Sequence, residues 1–153
     1  MYKRISIKDN NFDLEILISI LLEVPNSEYF NWFLSEIEAS GDLSSLETSM
    51  KKLSKECLDS KIGKKFSLKS ILLILKNIDS LDNLLIITGN IEESKLNFEI
   101  NTSLYQNVDY CFEYFDSSEW NITSRNINFI DKIIEKLKDN QIDKFDVSPH
   151  FNI

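Results

Sequence analysis

The chain has 153 residues, of which 42% are hydrophobic, and a formal net charge of −8. These values are typical of a globular protein with its own core, and we expect one domain over residues 1–153. Two cysteines, one histidine and three glycines exclude a disulfide framework, an ordinary zinc site and a glycine-rich phosphate loop. The apolar run at residues 16–22 is too short to span a bilayer and lacks a signal-peptide cleavage site. We therefore expect a cytoplasmic protein with no membrane contact.

The charged residues are segregated along the chain. Residues 9–50 contain nine acidic residues and no lysine or arginine, whereas residues 51–76 contain eight lysines and two acidic residues. Residues 77–124 are acidic again, with nine acidic residues and one lysine. If the two acidic blocks lie on one face of the fold, they form an extended negative surface. A solvated acidic surface with chance clustering is the alternative interpretation.

The first forty residues predict a strand, a helix and one ambiguous element. Residues 2–8 alternate between apolar and polar side chains, which is typical of a strand. A helix follows and ends before Pro25, because the residue before proline is disfavoured in a helix. Residues 26–40 fit both a helix and a strand, since their apolar side chains recur at both periods. The apolar face predicted for the helix consists of Leu14, Leu17, Ile18, Leu21 and Leu22.

The lysine-rich region predicts two helices separated by a loop. Ser44 and Glu47 match a capping box, which predicts a helix from Ser44 to about Ser60. A loop is expected at residues 61–65. Ser67 then starts a second helix that extends to residue 78.

The following region predicts two strands. Residues 79–83 are turn-forming types, and the apolar run at residues 84–88 predicts a buried strand after them. Alternation over residues 96–100 predicts a further strand, followed by a connection over residues 101–107.

The aromatic stretch that follows predicts a hairpin and a helix. Residues 108–115 alternate, and the alternation resumes at Trp120, so a hairpin closed at Ser117-Ser118 would place Phe115 opposite Trp120. An apolar stripe from Ile127 to Leu137 predicts a helix, for which Asn126 and Asn128 are both candidate caps. A last strand is expected around Phe145 and Val147. We predict an α+β fold in which a mostly antiparallel, twisted sheet packs against about four helices.

The sequence contains no group with the surroundings of a catalytic residue. His150 is the single histidine and lies on an expected loose tail. Cys57 falls on the apolar stripe of its predicted helix, and Cys111 is flanked by Asp109 and Glu113. Both cysteines are interpreted as small buried hydrophobic residues rather than nucleophiles. We expect no enzymatic activity, no metal and no cofactor.

Pairs of carboxylates are the remaining candidates for hydrolytic chemistry. In a strand, Glu36 and Glu38 lie on one face, at a spacing that a metal ion or a glycosidase uses. Such pairs are common on acidic surfaces, and no third ligand is evident in the sequence. A small metal-dependent hydrolase is kept as a third functional interpretation.

The charge pattern favours binding to a protein over binding to nucleic acid. The lysine-rich block is interpreted as a solvated helix face, because the overall charge disfavours contact with phosphate backbones. An acidic surface with aromatic anchors has the chemistry to occupy the basic cleft of a nucleic-acid enzyme. The residues predicted to contact the partner are Glu28, Tyr29, Trp32, Glu36, Glu38, Asp42, Asp116 and Glu119.

Several short motifs occur in order along the chain. They are Lys3-Arg4-Ile5-Ser6-Ile7, Phe30-Asn31-Trp32-Phe33-Leu34-Ser35-Glu36, Gly63-Lys64-Lys65-Phe66, and Asp116-Ser117-Ser118 followed by Ile133-Ile134-Glu135-Lys136-Leu137. Together they resemble a family of small bacterial proteins of unknown function, and the resemblance spans most of the chain. It implies a single α/β domain and favours a strand at residues 29–38, and it provides no catalytic residues.

The composition also resembles that of the immunity proteins of bacterial toxin–immunity systems. This resemblance implies a protein that binds and neutralises a cognate toxin, such as a nuclease, through its acidic surface. The alternative interpretation is a non-enzymatic adaptor or regulatory module with a different protein partner.

Overall fold

A computed structural model describes residues 2–90 and 108–150. Within these residues, seven strands form one sheet in which every neighbouring pair is antiparallel. The strands are β1 (Tyr2–Ile7), β2 (Trp32–Gly41), β3 (Lys64–Phe66), β4 (Ile78–Thr88), β5 (Tyr110–Phe115), β6 (Glu119–Ser124) and β7 (Phe145–His150). Across the sheet they lie in the order β3-β2-β4-β5-β6-β1-β7.

The described residues also contain four α-helices, and a side chain caps the start of each one. Asp13, Ser49, Ser67 and Asn126 each accept a hydrogen bond from a backbone N–H that has no partner within its helix. The helices are α1 (Leu14–Leu21), α2 (Met50–Asp59), α3 (Leu68–Lys76) and α4 (Ile127–Asp139). None of these described helices combines the length and apolarity needed to cross a membrane. The predicted α+β fold, with its antiparallel sheet and about four helices, is confirmed.

Alternation along the strands gives the sheet two different faces. The first face packs against the helices and forms the main hydrophobic core. The second face carries a smaller cluster of buried side chains, to which no described helix contributes. The strand residues of the main core are Ile5, Ile7, Trp32, Leu34, Ile37, Leu84, Ile86, Tyr110, Phe112, Trp120 and Ile122. The second cluster consists of Tyr2, Phe33, Ile62, Ile87, Val108 and Cys111.

Phe129 connects α4 to the middle of the sheet. Its ring meets Tyr110 edge-on, with 5.0 Å between ring centroids, and meets Phe112 edge-on at 6.3 Å. Phe112 in turn stacks on Trp32 of β2, at 6.4 Å. Three segments that are distant in sequence therefore share one buried aromatic cluster.

The ambiguous residues 26–40 form a 3-10 turn at Ser27–Tyr29 and then strand β2. The strand is favoured because β2 has a neighbour on each side, β3 and β4, so its aromatic and branched residues pack against both. The turn predicted at residues 79–83 is wrong. These residues form the first half of β4 and pair with the second half of β2, where several of them are exposed and keep their polar side chains in solvent.

The helix predicted from Ser44 begins later, at Met50. Residues 44–46 form a 3-10 turn, and Glu47 follows with a φ of 57°, a left-handed backbone that cannot continue a helix. Ser49 caps α2 instead, so the predicted capping box is wrong. The apolar stripe predicted for this helix consists of Leu46, Met50, Leu53 and Cys57. The last three are buried on α2, whereas Leu46 lies in the 3-10 turn before the helix.

Other sequence predictions have mixed outcomes. The helix expected after Ser67 is α3, and the strands expected at both ends of the chain are β1 and β7. His150, expected on a loose tail, is instead the last residue of β7 and pairs with Tyr2. The loop predicted at residues 61–65 runs into β3, a short edge strand that the sequence pattern does not indicate. The strand predicted at residues 96–100 lies outside the described residues.

Strands β5 and β6 form the predicted hairpin with a different register. Phe115 pairs with Glu119, and Tyr114 pairs with Trp120, so the predicted pairing of Phe115 with Trp120 is wrong. The turn occupies residues 116–118, and two of its residues adopt left-handed backbone, with φ values of 53° and 54°. The rings of Tyr114 and Trp120 lie 4.5 Å apart, whereas Phe115 is 63% exposed.

Strand β7 forms one edge of the sheet and pairs with β1. Pro149 lies opposite Lys3 in this pairing. The N–H of Phe145 donates to the carbonyl of Asp143 at 3.2 Å. An edge position suits Pro149, because proline has no N–H to donate to a neighbouring strand.

The hairpin register can be tested with two alanine variants. We expect Tyr114→Ala to lower the free energy of unfolding by about 1–2 kcal/mol more than Phe115→Ala, because only Tyr114 loses an aromatic cross-strand partner. Urea titration of both variants checks this. Equal losses, or a larger loss for Phe115→Ala, would contradict the register.

Candidate functional site

A bulge in β2 determines which way its two central carboxylates point. Leu34 pairs with Ile86 of β4, but Glu36 pairs with the adjacent residue, Leu85, so Ser35 is the extra residue. The bulge reverses the alternation and places Glu36 and Glu38 on the second face, rather than on the first face with Leu34.

The chain around Gly63 holds this bulge in place. The Ser35 hydroxyl donates to the carbonyl of Ile62 at 2.8 Å. Gly63 has a φ of +107°, and a Cβ added there would lie 2.6 Å from the backbone of Leu34 and Ser35. Glycine is therefore required for the close approach that supports the bulge.

The carboxylates of β2 meet others from the second acidic block on the same face. Glu36 lies opposite Leu85, which in turn lies opposite Glu113 of β5. Glu119 is the first residue of β6. It pairs with Phe115, which lies two residues after Glu113 on the same face of β5. We define Glu36, Glu38, Glu113 and Glu119 as the acidic sheet face. Residues from blocks 9–50 and 77–124 thus come together, which the sequence alone leaves open.

Burial and mutual repulsion make the ionised form of two of these groups less favourable. Burial raises the pKa of Glu36, and the neighbouring carboxylate of Glu38 raises it further. Burial also raises the pKa of Glu113; Arg4 lowers it, while Glu36 and Glu119 raise it. Burial prevails over the nearby guanidinium, so the pKa of Glu113 is raised overall.

Asn83 of β4 connects the acidic sheet face to the β5–β6 turn. Its Nδ2 donates to Glu38 Oε2 at 3.0 Å, and its Oδ1 accepts from the backbone N–H of Asp116 at 2.9 Å. In the same turn, the Ser117 hydroxyl donates to Asp82 Oδ1 at 3.0 Å. Asp116 therefore borders the acidic sheet face, as an exposed carboxylate on a turn held by β4.

Trp32 does not belong to this surface. It is fully buried in the main core, and its Nε1–H donates to the carbonyl of Ser27 at 2.9 Å. Alternation along β2 places Trp32 on the helix-covered face, so it cannot act as the surface anchor expected from the sequence.

The other predicted contact residues lie apart from the acidic sheet face. Glu28 and Tyr29 lie in the 3-10 turn before β2, where Tyr29 is 81% exposed. Asp42 directly follows β2, and its Oδ1 accepts from the backbone N–H of Ser44 at 2.9 Å. This hydrogen bond lowers the pKa of Asp42. Asp42 thus caps the local turn as well as carrying charge.

Two residues of the site are missing from the sequence prediction. Glu113 shares a strand face with Cys111, and Asn83 lies in a segment predicted as a turn. The alternation of the aromatic stretch indicates which residues accompany Glu113, but it does not indicate that Glu36 lies two strands away. Only the strand order supplies that information.

The described residues offer little for covalent or metal chemistry. Cys57 and Cys111 are both buried, as predicted. Burial raises the pKa of the Cys57 thiol to about 11 and also raises the pKa of Cys111. Within residues 2–90 and 108–150, no three histidine, cysteine, aspartate or glutamate side chains are grouped so as to hold a metal ion.

Comparisons with protein-family models, with curated proteins and with solved structures found no match to this chain. The candidate role of the acidic sheet face therefore depends on its own geometry and charge.

Substitution of Gly63 tests whether the bulge depends on close backbone approach. We expect Gly63→Ala to lower the free energy of unfolding by about 3 kcal/mol or more, because strain at positive φ adds to a backbone clash. Ser35→Ala, which removes one hydrogen bond, should cost only about 1 kcal/mol. Urea unfolding of both variants gives the comparison, and a Gly63→Ala protein as stable as Ser35→Ala would exclude the proposed constraint.

The raised pKa of Glu113 predicts a pH-dependent stability difference. A carboxyl group whose pKa is raised by folding favours the folded state when protonated, and this contribution is lost as the pH rises through the folded pKa. We expect Glu113→Gln to raise the thermal midpoint by about 1–3 °C at pH 7, and the difference to vanish below about pH 4.

The control for this measurement is Glu135→Gln, which removes a carboxylate from the exposed surface of α4. Thermal melts at several pH values should show no comparable rise for the control. A Glu113→Gln protein less stable than the wild type at pH 7 would contradict the electrostatic account.

Proposed function

We propose that this protein is a non-enzymatic immunity protein that binds a cognate bacterial toxin, of the nuclease class, and neutralises it. The observation that supports the proposal is the acidic sheet face, where carboxylates from two separate acidic blocks lie together on one side of a rigid sheet. A nuclease presents a cationic cleft to its phosphate substrate, and a rigid set of carboxylates is complementary to that cleft.

Charge concentration on the sheet supports fast association with such a partner. Glu36 and Glu38 lie two residues apart on β2, and Glu113 faces them across β4. The four carboxylates of the acidic sheet face outnumber Arg4, the cation that lowers the pKa of Glu113. Their net negative charge steers a cationic partner towards the surface. Exposed Asp116 and Phe115 border this area and supply a charged and an apolar contact at its rim.

The burial that raises the pKa values of Glu36 and Glu113 also affects the affinity for the partner. Both groups are partly desolvated in the free protein, so part of the cost of burying them in a complex is already present before binding. A lysine or arginine of the partner would relieve the repulsion among these carboxylates. Binding would then favour their ionised form.

An adaptor or regulatory module with another basic protein partner would use the same surface. The two functions are separated by their effect on the partner, because an immunity protein abolishes the partner's activity. The hydrolase interpretation would need a metal-holding group of side chains, and the described residues supply none.

The first test of function is a pull-down of the tagged protein from its host under conditions that induce toxin production, followed by an activity assay. Recovery of one stoichiometric basic partner, whose nuclease activity is lost on titration with the protein, would support the proposal. A recovered partner that remains fully active in the complex would favour the adaptor.

Charge reversal tests whether the acidic sheet face is the contact surface. We expect Glu36→Lys combined with Glu38→Lys to reduce the association rate with the partner by about tenfold or more at low salt, and to flatten its salt dependence. Stopped-flow binding at several salt concentrations measures both effects. Glu36→Gln with Glu38→Gln should give an intermediate rate, which separates loss of attraction from added repulsion.

The matched control is Asp131→Lys with Glu135→Lys, which makes the same change of net charge on the exposed surface of α4. Thermal melts establish that all variants are folded. An association rate that falls equally in the control would show that net charge, rather than the acidic sheet face, governs binding.

A further inference from the structure

A cleft of about 430 Å³ lies beside α3, on the helix side of the sheet and away from the acidic sheet face. Its apolar lining comes from Leu68, Leu72 and Leu73 of α3, and Leu73 is 39% exposed. Glu28, from the 3-10 turn before β2, also lines the cleft. We call this the α3 cleft.

The charged residues of the α3 cleft follow the repeat of the helix. Lys69 and Lys76 are seven positions apart, and Leu72 and Leu73 lie between them at the third and fourth positions, so all share one face of α3. The two lysines are about 10 Å apart along the helix axis. Both are exposed, and neither forms an ion pair within residues 2–90 and 108–150.

We propose that the α3 cleft binds an acidic amphipathic helix of a partner protein. Two turns of such a helix, with two apolar residues between a carboxylate at each end, match the apolar floor and its flanking ammonium groups. Charge complementarity determines this choice, because Lys69 and Lys76, which form no ion pair among the described residues, border an apolar surface. The proposal does not depend on the function assigned to the acidic sheet face.

A second copy of this chain fits the α3 cleft less well. In a two-fold contact between antiparallel α3 helices, Lys69 of one copy would face Lys76 of the other. Like charges placed opposite each other across an interface oppose association. An acidic partner removes this repulsion and pairs each ammonium group with a carboxylate.

Two synthetic helical peptides provide the probe. The first has the pattern Glu-x-x-Leu-Leu-x-x-Glu, where x is alanine or glutamine, and the second replaces both glutamates with lysine. Fluorescence anisotropy of the labelled peptides with the full-length protein measures binding. We expect the acidic peptide to bind at least about tenfold more tightly than the lysine peptide.

Variants of α3 test the location. Lys69→Glu with Lys76→Glu should weaken binding of the acidic peptide by about tenfold or more and strengthen binding of the lysine peptide. The matched control is Lys51→Glu with Lys55→Glu, which changes net charge equally at exposed positions of α2 and should leave both affinities unchanged. Leu73→Ser should weaken the binding of both peptides, because it removes an apolar contact from the cleft. Glu28→Gln should strengthen binding of the acidic peptide, because it removes the carboxylate from the cleft.

Several outcomes would overturn the proposal. They include equal binding of the two peptides, no binding of the acidic peptide, or the same loss in the α2 control. If sedimentation shows that the wild type is a dimer and that Lys69→Glu with Lys76→Glu is a monomer, the cleft binds a second copy instead. Binding to phosphatidylserine vesicles that the α3 variants abolish, without peptide binding, would assign it to a membrane surface. Glu36→Gln with Glu38→Gln should not alter peptide binding, so this test is independent of the toxin proposal.

Discussion

The edge-on contacts of Phe129 with Tyr110 and Phe112 are the interaction on which the rest of the structure depends. Each aromatic pair adds about 0.5–1.5 kcal/mol beyond the burial of its surface. Through Phe112, the cluster reaches Trp32 on a strand two positions away in the sheet. It therefore connects α4 and β5 to β2, which carries the bulge that orients two carboxylates of the candidate site.

The same strands supply apolar side chains to the helix-covered face of the sheet and carboxylates to the second face. Every residue buried under a helix is followed by one that points to the second face, so the strands that build the core also set the spacing of the charges. Glu113 illustrates the result, since its neighbours along β5 are the buried Phe112 and the core-packed Tyr114. The carboxylate is held on a rigid support beside other acids, and burial raises its pKa. Rigidity of this kind lowers the entropy lost when a partner binds.

Local patterns predict most elements of the fold, because helical and strand periods are visible in single segments. They fail where pairing with a segment distant in sequence determines the secondary structure or the strand register. Residues 79–83 have turn-forming side chains but become strand because the second half of β2 pairs with them. The hairpin register shifts by one residue because the turn adopts left-handed backbone at two positions, which leaves Phe115 exposed and pairs Tyr114 with Trp120.

The candidate site was predictable only in part for the same reason. Composition predicts that acidic residues form the candidate site, and Glu36, Glu38 and Glu119 do lie on the same face of the sheet. The aromatic character of Trp32 does not reveal whether it faces the core or solvent. That depends on which side chains of β2 point to the helix-covered face, and the pairing of β2 with its neighbouring strands decides this. The bulge at Ser35 shifts the alternation of side chains between the two faces within β2, and no pattern in the sequence predicts the bulge. Glu113 needed the strand order to be placed beside Glu36.

The edge formed by β7 limits the ways in which this protein can recognise another chain. The N–H of Lys8 donates to the carbonyl of Lys144 at 2.9 Å, so by alternation Phe145, Val147 and Pro149 turn their backbone groups away from β1. The N–H of Phe145 is already engaged and Pro149 has none, which leaves Val147 as the single outward donor along β7. A foreign strand needs a regular series of donors and acceptors to extend a sheet. Strand β7 is therefore a poor backbone template for a foreign strand, and recognition at this edge is expected to depend on side chains.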